Sequence, residues 1–243
     1  MYDLHSHILP GIDDGPRSKN ESLELILAAS RSGIKTLIAT PHMKDVNEKR
    51  SVRYTQEVLR LLQQDVKSLN LSIRLKMGME NHLAPNTPDM FKAGKSLTIN
   101  STNFALIELP FFGYPDYVDD TLQELQQNGI TPVLAHPERI ELIQNNPAKL
   151  EQFVNQGMVS QVTSGSLIGQ FGKEVKSFTE MLVTKGMAHV MSSDCHRPFG
   201  RRAPDLHVGY QAAYRLIGEA KAKMLVCHNP KSIINGTYTS HTL

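Results

Sequence analysis

The chain has few cysteines and no long apolar run. Its two cysteines, Cys195 and Cys227, are too few for the disulfide framework of a small secreted domain. No stretch approaches the ~18 consecutive apolar residues that a transmembrane helix needs. We therefore expect a cytoplasmic protein that does not insert into a membrane.

An excess of charge of one sign is also lacking. The 26 lysines and arginines nearly balance the 24 acidic residues, which gives a formal net charge of +2. This balance argues against a nucleic-acid-binding protein, because such proteins neutralise backbone phosphates with an excess of basic residues. The opening segment MYDLHSHILPG has neither the basic part nor the apolar core of a signal peptide, so we expect none.

Internal repeats, low-complexity segments and long linkers are absent from the 243 residues. A chain of this length can bury one full hydrophobic core. We therefore predict a single domain over residues 1–243.

Short apolar runs alternate with amphipathic segments along the chain. This order predicts parallel strands joined by helices, and we expect an α/β fold, a distorted seven-stranded β/α barrel of the TIM-like kind. On the pattern alone, a doubly wound open sheet is the alternative. The runs predicted as strands are Tyr2–Leu4, Thr36–Ala39, Ile73–Met77, Ala105–Ile107, Pro132–Ala135, Val159–Val162 and Ala188–Met191.

The intervening segments carry helix signals. Ser18 and Glu21 form an S-x-x-E capping box that begins a helix, and Gly33 closes it. A second helix is predicted over residues 52–69. Further helical patterns lie near residues 117–128, 147–156, 173–185 and 205–217.

Polar residues able to bind metals lie at the carboxyl ends of these strand runs. In a parallel β/α barrel those ends meet at one face, where catalytic residues lie. Eight nitrogen and oxygen donors are therefore expected in one cleft: His5, His7, His42, Glu80, Glu108, His136, Asp194 and His196.

Imidazole and carboxylate donors without thiolates suit divalent ions such as Mn, Fe or Zn. Eight donors exceed what one such ion binds, so we expect two or three ions, ~3.5–4 Å apart, with a bridging carboxylate. Such clusters generate a hydroxide near neutral pH, which can attack phosphorus, and they hold the phosphoryl oxygens during in-line displacement. The pattern indicates phosphoric ester hydrolysis.

Six ordered segments carry a family resemblance: DLHSHILPGIDDG (3–15), ATPHM (39–43), GMEN (78–81), IELP (107–110), AHPERI (135–140) and SSDCH (192–196). They closely resemble the PHP phosphoesterases, and within them the tyrosine-protein phosphatases of the capsule/exopolysaccharide (CpsB/YwqE-like) type. The resemblance covers nearly the whole chain, including QVTSGSLIGQFGK (161–173), which contains no ligand.

This resemblance implies a distorted seven-stranded β/α barrel that holds two or three metal ions, often manganese. It also implies a substrate, phosphotyrosine on the tail of a bacterial tyrosine kinase that controls polysaccharide synthesis. The residues that match the family's first metal site are His5, His7, Glu80 and Asp194. Glu80 would bridge to a second ion held by Glu108 and His136.

The resemblance also assigns a third ion, whose ligands match His42 and His196. Asp14 falls where other PHP members have a further ligand to that ion, and a role as proton donor is equally open. The neighbouring Asp13 is the alternative to Asp14, because the spacing in this loop varies.

Two arginines, Arg139 and Arg201, match the family's phosphate-binding arginines. A transferring phosphoryl group needs cations on its non-bridging oxygens, and one guanidinium can contact two of them. Arg197 and Arg202 are adjacent alternatives that we expect in solvent. A tyrosine phenolate leaves with a pKa of ~10, so it needs little help from a general acid.

The segment from Cys195 to Arg201 also satisfies the C-x5-R pattern of cysteine-dependent phosphatases. Pro198 removes one N–H from that loop, so we expect Cys195 to be a small buried spacer between ligands. Two other functions stay open: a PHP phosphatase for a small molecule such as histidinol phosphate, and a PHP-fold protein that binds a regulatory partner without catalysis.

The remaining histidines carry no ligand signal. We expect a structural, rim or solvated position for His82, His189, His207, His228 and His241. Three aromatic residues after Glu108 either line a tyrosine pocket or form an ordinary loop cluster: Phe111, Phe112 and Tyr114.

Overall fold

The structure is a computed structural model that describes residues 1–239. Residues 240–243, with the predicted structural or solvated His241, lie outside the described residues. The strands are β1 (Tyr2–Ser6), β2 (Thr36–Ala39), β3 (Arg74–Met77), β4 (Glu80–His82), β5 (Phe104–Glu108), β6 (Thr131–Ala135), β7 (Val159–Thr163) and β8 (Val190–Ser192).

Helices alternate with these strands, which confirms the predicted α/β order. The α-helices are α1 (Lys19–Arg31), α2 (Met43–Lys49), α3 (Val52–Ser68), α4 (Thr87–Lys92), α5 (Tyr117–Gln127), α6 (Glu141–Asn145), α7 (Pro147–Asn155), α8 (Ser164–Leu167), α9 (Lys173–Thr184), α10 (Leu206–Lys223) and α11 (Asn229–Ile234). Short 3-10 helices span Ile99–Ser101 and Pro137–Arg139, and a π-helical segment spans Met224–His228. Within residues 1–239, none of the helices has both the length and the apolar character to cross a membrane.

The strands pair in parallel within two sheets, β1-β2-β3 and β4-β5-β6-β7-β8. Isolated bridges at Ser6–Cys195 and His42–Glu80 connect the two sheets. The predicted parallel α/β fold is therefore confirmed. The seven-stranded barrel is corrected, because residues 1–239 form eight strands whose ladders do not close into one continuous barrel.

The extra strand arises at Gly78, between β3 and β4. A Cβ at Gly78 would lie 2.9 Å from Cγ2 of Ile38, so this close approach requires glycine. The Gly78 N–H donates to the carbonyl of Ala39 at 2.9 Å, and the Glu80 N–H donates to the carbonyl of Pro41 at 3.1 Å. After β3 the chain therefore stops pairing with β2. It begins a new strand at Glu80, whose side chain lies in the cleft.

The helix signals in the sequence correspond to real caps. The Ser18 side chain accepts a hydrogen bond from the Glu21 N–H at 3.2 Å, which confirms the predicted start of α1. The helix ends at Arg31, and Gly33 follows with a left-handed φ of 88°. The predicted helix over 52–69 is α3.

Most strands are buried on both faces, and β5 and β7 are buried throughout, as expected for parallel sheets covered by helices. Along β5, Ala105 and Ile107 join a large apolar cluster that includes helix residues. The alternate residues Phe104 and Leu106 join a smaller cluster with residues of the other strands, among them Leu4. The apolar core thus occupies both faces of the strands, and the metal-binding candidates are left to the strand ends.

His189 is one predicted structural histidine that the fold buries. It is 8% exposed, and its Nδ1 accepts a hydrogen bond from the Ser160 N–H at 3.1 Å. Burial lowers the pKa of His189 to about 4. The neutral ring is therefore the form that the folded protein holds.

We expect His189 to make the protein less stable in acid. The unfolded chain takes up a proton at this residue near pH 6.5, whereas the folded chain resists until about pH 4. The contribution of neutral His189 to the free energy of unfolding is therefore complete above pH 6.5. It falls by about 2 kcal/mol between pH 7 and pH 5. Urea unfolding at both pH values measures it.

The matched variant for this measurement is His189→Asn, whose side-chain oxygen can accept the same hydrogen bond from Ser160. We expect the wild type to lose more unfolding free energy than the variant between pH 7 and pH 5. Equal losses in the two proteins would contradict the assignment.

Candidate metal centre

The eight predicted donors lie together in one cleft, with Glu80 at the first residue of β4 and the others at or just after the carboxyl ends of their strands. β1, β4 and β5 carry three of them, and the others lie one to four residues after the ends of β1, β2, β6 and β8. Two of the loop donors, His136 and Asp194, adopt left-handed backbone angles with φ of 34° and 52°. Such angles are uncommon outside glycine and cluster at functional sites.

Glu80 is the central carboxylate of the cleft. Its Oε2 lies 3.3 Å from Nε2 of His5, 3.2 Å from Nε2 of His7 and 3.0 Å from Nδ1 of His42. Its Oε1 lies 3.0 Å from Nε2 of His136. One buried carboxylate therefore contacts four imidazoles, which is the position that a bridging ligand needs.

Asp194 is a second buried carboxylate beside the same two histidines of β1 and its loop. Its Oδ1 lies 3.4 Å from Nε2 of His5 and 3.5 Å from Nε2 of His7. Its Oδ2 accepts hydrogen bonds from Arg139 at 3.0 Å and from Arg202 at 2.8 Å. Asp194 thus links the donor cluster to the arginines.

The outer donors extend the cluster on two sides. On one side, Glu108 lies 3.6 Å from His136, with its second oxygen 3.3 Å from Nδ1 of His82. On the other side, Oδ1 of Asp14 lies 3.0 Å from Nε2 of His196 and 3.5 Å from Nε2 of His42. The cleft therefore contains more donors than one ion can use.

Four overlapping sets of donors have ligand atoms within 4.8 Å of one another. Because several residues belong to more than one set, the geometry suits a cluster of ions. The sets are His7, Asp14, His42 and His196; His5, His7 and Glu80; His5, His136 and Asp194; and His42, Glu80 and Glu108.

Several atoms of the cleft lack the partners that a protein interior normally provides. Nδ1 of His136 is buried without a hydrogen bond within the described chain, and Oε2 of Glu80 and Nε2 of His196 contact ionisable groups within 3.3 Å without hydrogen-bonding geometry. Nε2 of His5 and Nε2 of His7 also face each other at 3.3 Å. Buried polar atoms normally have partners, and divalent cations would satisfy these atoms.

The pKa values of the cleft residues also indicate that the buried carboxylates need positive charge beside them. Burial alone would raise the pKa of Glu80, but the imidazoles of His5, His136 and His42 hold it well below its usual range. Burial opposes protonation of His42, but the carboxylates of Asp14 and Glu80 raise its pKa to about 10. Without metal, protons on histidine thus balance the carboxylates, and binding of divalent ions would release them.

Residues outside the donor set orient the donors. Nδ1 of His5 pairs with Oε1 of Gln161 at 2.9 Å, and Nδ1 of His7 pairs with Oδ2 of Asp13 at 2.8 Å. These contacts aim both Nε2 atoms at Glu80, as partners behind metal-binding histidines commonly do. The predicted site lacks Gln161 and includes Asp13 only as an alternative ligand, because a contact behind a histidine has no spacing signal in the sequence.

The arginines differ in part from the prediction. Arg139 lies at the cleft, with its guanidinium carbon 4.5 Å from the ring centre of Phe171, and that of Arg201 lies 5.2 Å from the same ring. The expected solvent position is wrong for Arg202, which binds Asp194, and for Arg197, whose Nη1 donates to the carbonyls of residues 14, 15 and 196. Arg202 therefore reaches a cleft donor, whereas Arg197 ties the loop after β8 to the backbone of residues 14 and 15.

Cys195 is a buried spacer, as expected. It is 0% exposed, and burial, with Asp3 nearby, raises the pKa of its thiol well above the usual value. Its carbonyl accepts the N–H of His7 at 2.9 Å. A buried, protonated thiol is a poor nucleophile, so the C-x5-R interpretation fails.

The aromatic residues after Glu108 separate into two groups. Phe111 stacks on His136, with ring centres 5.5 Å apart, and belongs to the cleft wall. Phe112 is 82% exposed, and the Tyr114 hydroxyl donates to Asp119 on α5. A shared tyrosine pocket of all three is therefore not formed.

Known proteins resemble this chain over most of its length. The family model for capsular polysaccharide synthesis, CpsB/CapC, matches residues 1–235. Tyrosine-protein phosphatase YwqE of Bacillus subtilis is 39% identical over 201 residues, which are 81% of this chain and 77% of the relative. Tyrosine-protein phosphatase CpsB of Streptococcus pneumoniae is 28% identical over 240 residues, covering 96% and 98% of the two chains.

Comparison of the three-dimensional structures identifies the same relatives. A crystal structure from work on YwqE of B. subtilis and CpsB of S. pneumoniae, described as metal-dependent tyrosine phosphatases, superposes with a TM-score of 0.93 at 33% identity. The match covers 98% of this chain and 96% of the other. Family model, sequence relatives and fold agree, and the chain belongs to the CpsB/CapC family of capsular polysaccharide synthesis proteins.

Proposed function

We propose that this chain is a metal-dependent protein-tyrosine phosphatase. Its substrate would be phosphotyrosine on the tail of a bacterial tyrosine kinase, and its role the regulation of capsular or exopolysaccharide synthesis. The observation that carries the proposal is the convergence of eight imidazole and carboxylate donors beside Arg139. Membership in a family with relatives named tyrosine-protein phosphatases supports it. We further propose a single PHP phosphoesterase domain over residues 1–243 and a cytoplasmic location.

Two or three divalent ions fit the donor sets, and manganese is our proposal, with iron, zinc or magnesium as possible substitutes. The residues that would hold the first ion are His5, His7, Glu80 and Asp194, with Glu80 shared with a second ion at Glu108 and His136. When bound, such ions supply positive charge to phosphoryl oxygens and lower the pKa of water toward neutrality.

The third ion would be held by His42, His196 and Asp14, and the geometry favours Asp14 over Asp13 as its carboxylate. Asp14 shares a donor set with both histidines, and its side chain is 56% exposed at the mouth of the cleft. The Asp13 carboxylate instead pairs with Nδ1 of His7 and accepts a hydrogen bond from the Gly15 N–H. Asp14 would thus be a ligand, and Asp13 would orient His7.

Arg139 and Arg201 would bind the non-bridging oxygens of the phosphoryl group. Guanidinium N–H groups match such oxygens in geometry and charge. Arg202 has a different task in this proposal, because both oxygens of Asp194 accept from its Nη2, at 2.9 and 2.8 Å. It would hold Asp194 in the orientation that the first ion needs.

Substrate selectivity tests the proposed function. We expect the manganese-loaded protein to hydrolyse a phosphotyrosyl peptide at least about tenfold faster than the matching phosphoseryl peptide. The reason is that phenolate, with a pKa of ~10, leaves more readily than an alkoxide. Release of inorganic phosphate from both peptides and from histidinol phosphate measures this. Equal rates on the two peptides, or a preference for histidinol phosphate, would contradict the proposal.

A further inference from the structure

The segment 161–173 contains no metal ligand, yet three of its side chains reach the cleft. Gln161 pairs with His5, and Oε1 of Gln170 accepts the backbone N–H of Arg202 at 3.2 Å. The ring of Phe171 lies beneath two guanidinium groups, those of Arg139 at 4.5 Å and Arg201 at 5.2 Å. The segment is therefore built against the arginines as well as the donors.

From these contacts we propose that Phe171 is a positioning residue that aligns Arg139 and Arg201 for a phosphoryl group. The inference rests on the proposed function, since it concerns how that site binds its phosphate. A phenyl ring offers neither a hydrogen-bond donor nor a metal ligand. Any effect of Phe171 on phosphate must therefore pass through its neighbours.

An aromatic face suits this task better than a polar neighbour. A carboxylate or carbonyl would use the guanidinium N–H groups that the phosphate needs, whereas a ring attracts the cation through its π face and leaves the N–H groups free. Among the described residues, Arg201 forms no hydrogen bond or salt bridge, and its guanidinium lies over this ring. Without the ring, the long and exposed Arg201 side chain would be free to sample many rotamers.

The backbone around Phe171 is shaped to bring the ring to this position. A Cβ at Gly165, in α8, would lie 3.2 Å from Cε2 of Phe171 and 3.0 Å from Oε1 of Gln170. Glycine at 165 thus leaves the space that both side chains occupy. Packing against Phe171 and Gln170 therefore explains the glycine at 165, in a segment without metal ligands.

The test measures binding of inorganic phosphate to the manganese-loaded protein by isothermal titration calorimetry. We expect Phe171→Leu to weaken phosphate binding roughly tenfold, since two cation–π contacts are lost. Phe171→Tyr, which retains an aromatic face, is expected to stay within about threefold of the wild type. Phe178→Leu on α9 is the matched control, because that half-buried ring packs against the apolar core and stacks on none of the arginines within residues 1–239.

Inorganic phosphate distinguishes this proposal from direct contact between Phe171 and the tyrosyl ring. If Phe171→Leu weakened binding of a phosphotyrosyl peptide but not of phosphate, positioning would be overturned. Equal impairment of the leucine and tyrosine variants would overturn it too. In an Arg201→Met background, we expect Phe171→Leu to cost less than in the wild type, and an undiminished cost would contradict the pathway through Arg201.

Folding of the variants is part of the test. Phe171→Met fills a similar volume without an aromatic face and replaces the leucine variant if that one unfolds. Unfolding of both would assign the ring to the core and overturn the proposal. Phosphate binding is measured without turnover. If phosphate binding depended on Phe171 but the protein did not cleave phosphotyrosine, the proposed function would be refuted and the positioning role of Phe171 would stand.

Discussion

Replacement of Glu80 by glutamine is expected to lower phosphotyrosine hydrolysis at least about a thousandfold. The amide has nearly the same size as the carboxylate, but it lacks the negative charge that faces four imidazoles. A neutral group cannot bridge two cations, so we also expect the variant to bind less metal. Steady-state hydrolysis of a phosphotyrosyl peptide and metal analysis of the purified protein measure the two effects.

The control for this variant is Glu57→Gln. Glu57 is an exposed carboxylate on α3 that pairs with Arg60 at 2.7 Å and belongs to none of the donor sets. We expect its activity and metal content to equal those of the wild type. Full metal content and activity in Glu80→Gln would remove Glu80 from the centre of the site.

Replacement of Arg139 by methionine is expected to lower kcat/KM for the same peptide by ~100-fold. The guanidinium is 18% exposed and is held between the rings of Phe111 and Phe171, with Nη1 on Asp194. Its remaining N–H groups are available to a phosphoryl oxygen, and methionine offers none. Because Arg139 is not a ligand, we expect metal content to be retained, in contrast to Glu80→Gln.

Arg60→Met is the matched control for Arg139, since Arg60 is an exposed arginine whose carboxylate partner lies on the same helix. It should behave as the wild type. Loss of bound metal from Arg139→Met, in proportion to its loss of activity, would mean that Arg139 acts by holding Asp194 rather than by binding phosphate. A lysine variant separates charge from shape, because a single ammonium cannot form the two-point contact.

The donor set was predictable because parallel strands impose a simple rule. Residues at the carboxyl ends of such strands meet at one face, whatever their distance in sequence. His5 and His136 are 131 positions apart, yet their ring centres lie 5.7 Å apart. Strand runs and their following polar residues are local features, so the sequence alone locates this cleft.

Other parts of the site depend on contacts that no local pattern records. The extra strand β4 follows Gly78, whose close approach to Ile38 of another strand is a contact between strands distant in sequence. Asp13 and Asp14 are adjacent and chemically alike, and only the path of the loop gives them different partners. Arg202 resembles an ordinary loop arginine until the loop after β8 brings it to Asp194.

Metal dependence tests the central claim most directly. The protein would be stripped with a chelator, and hydrolysis of a phosphotyrosyl peptide would be measured before and after Mn²⁺ is restored. We predict that activity disappears with the metal and returns with it, because the eight donors of the cleft converge as metal ligands do and only bound cations would supply the activated water that attacks phosphorus. Activity that survives complete metal removal would contradict the metal centre and return attention to the loop from Cys195 to Arg201.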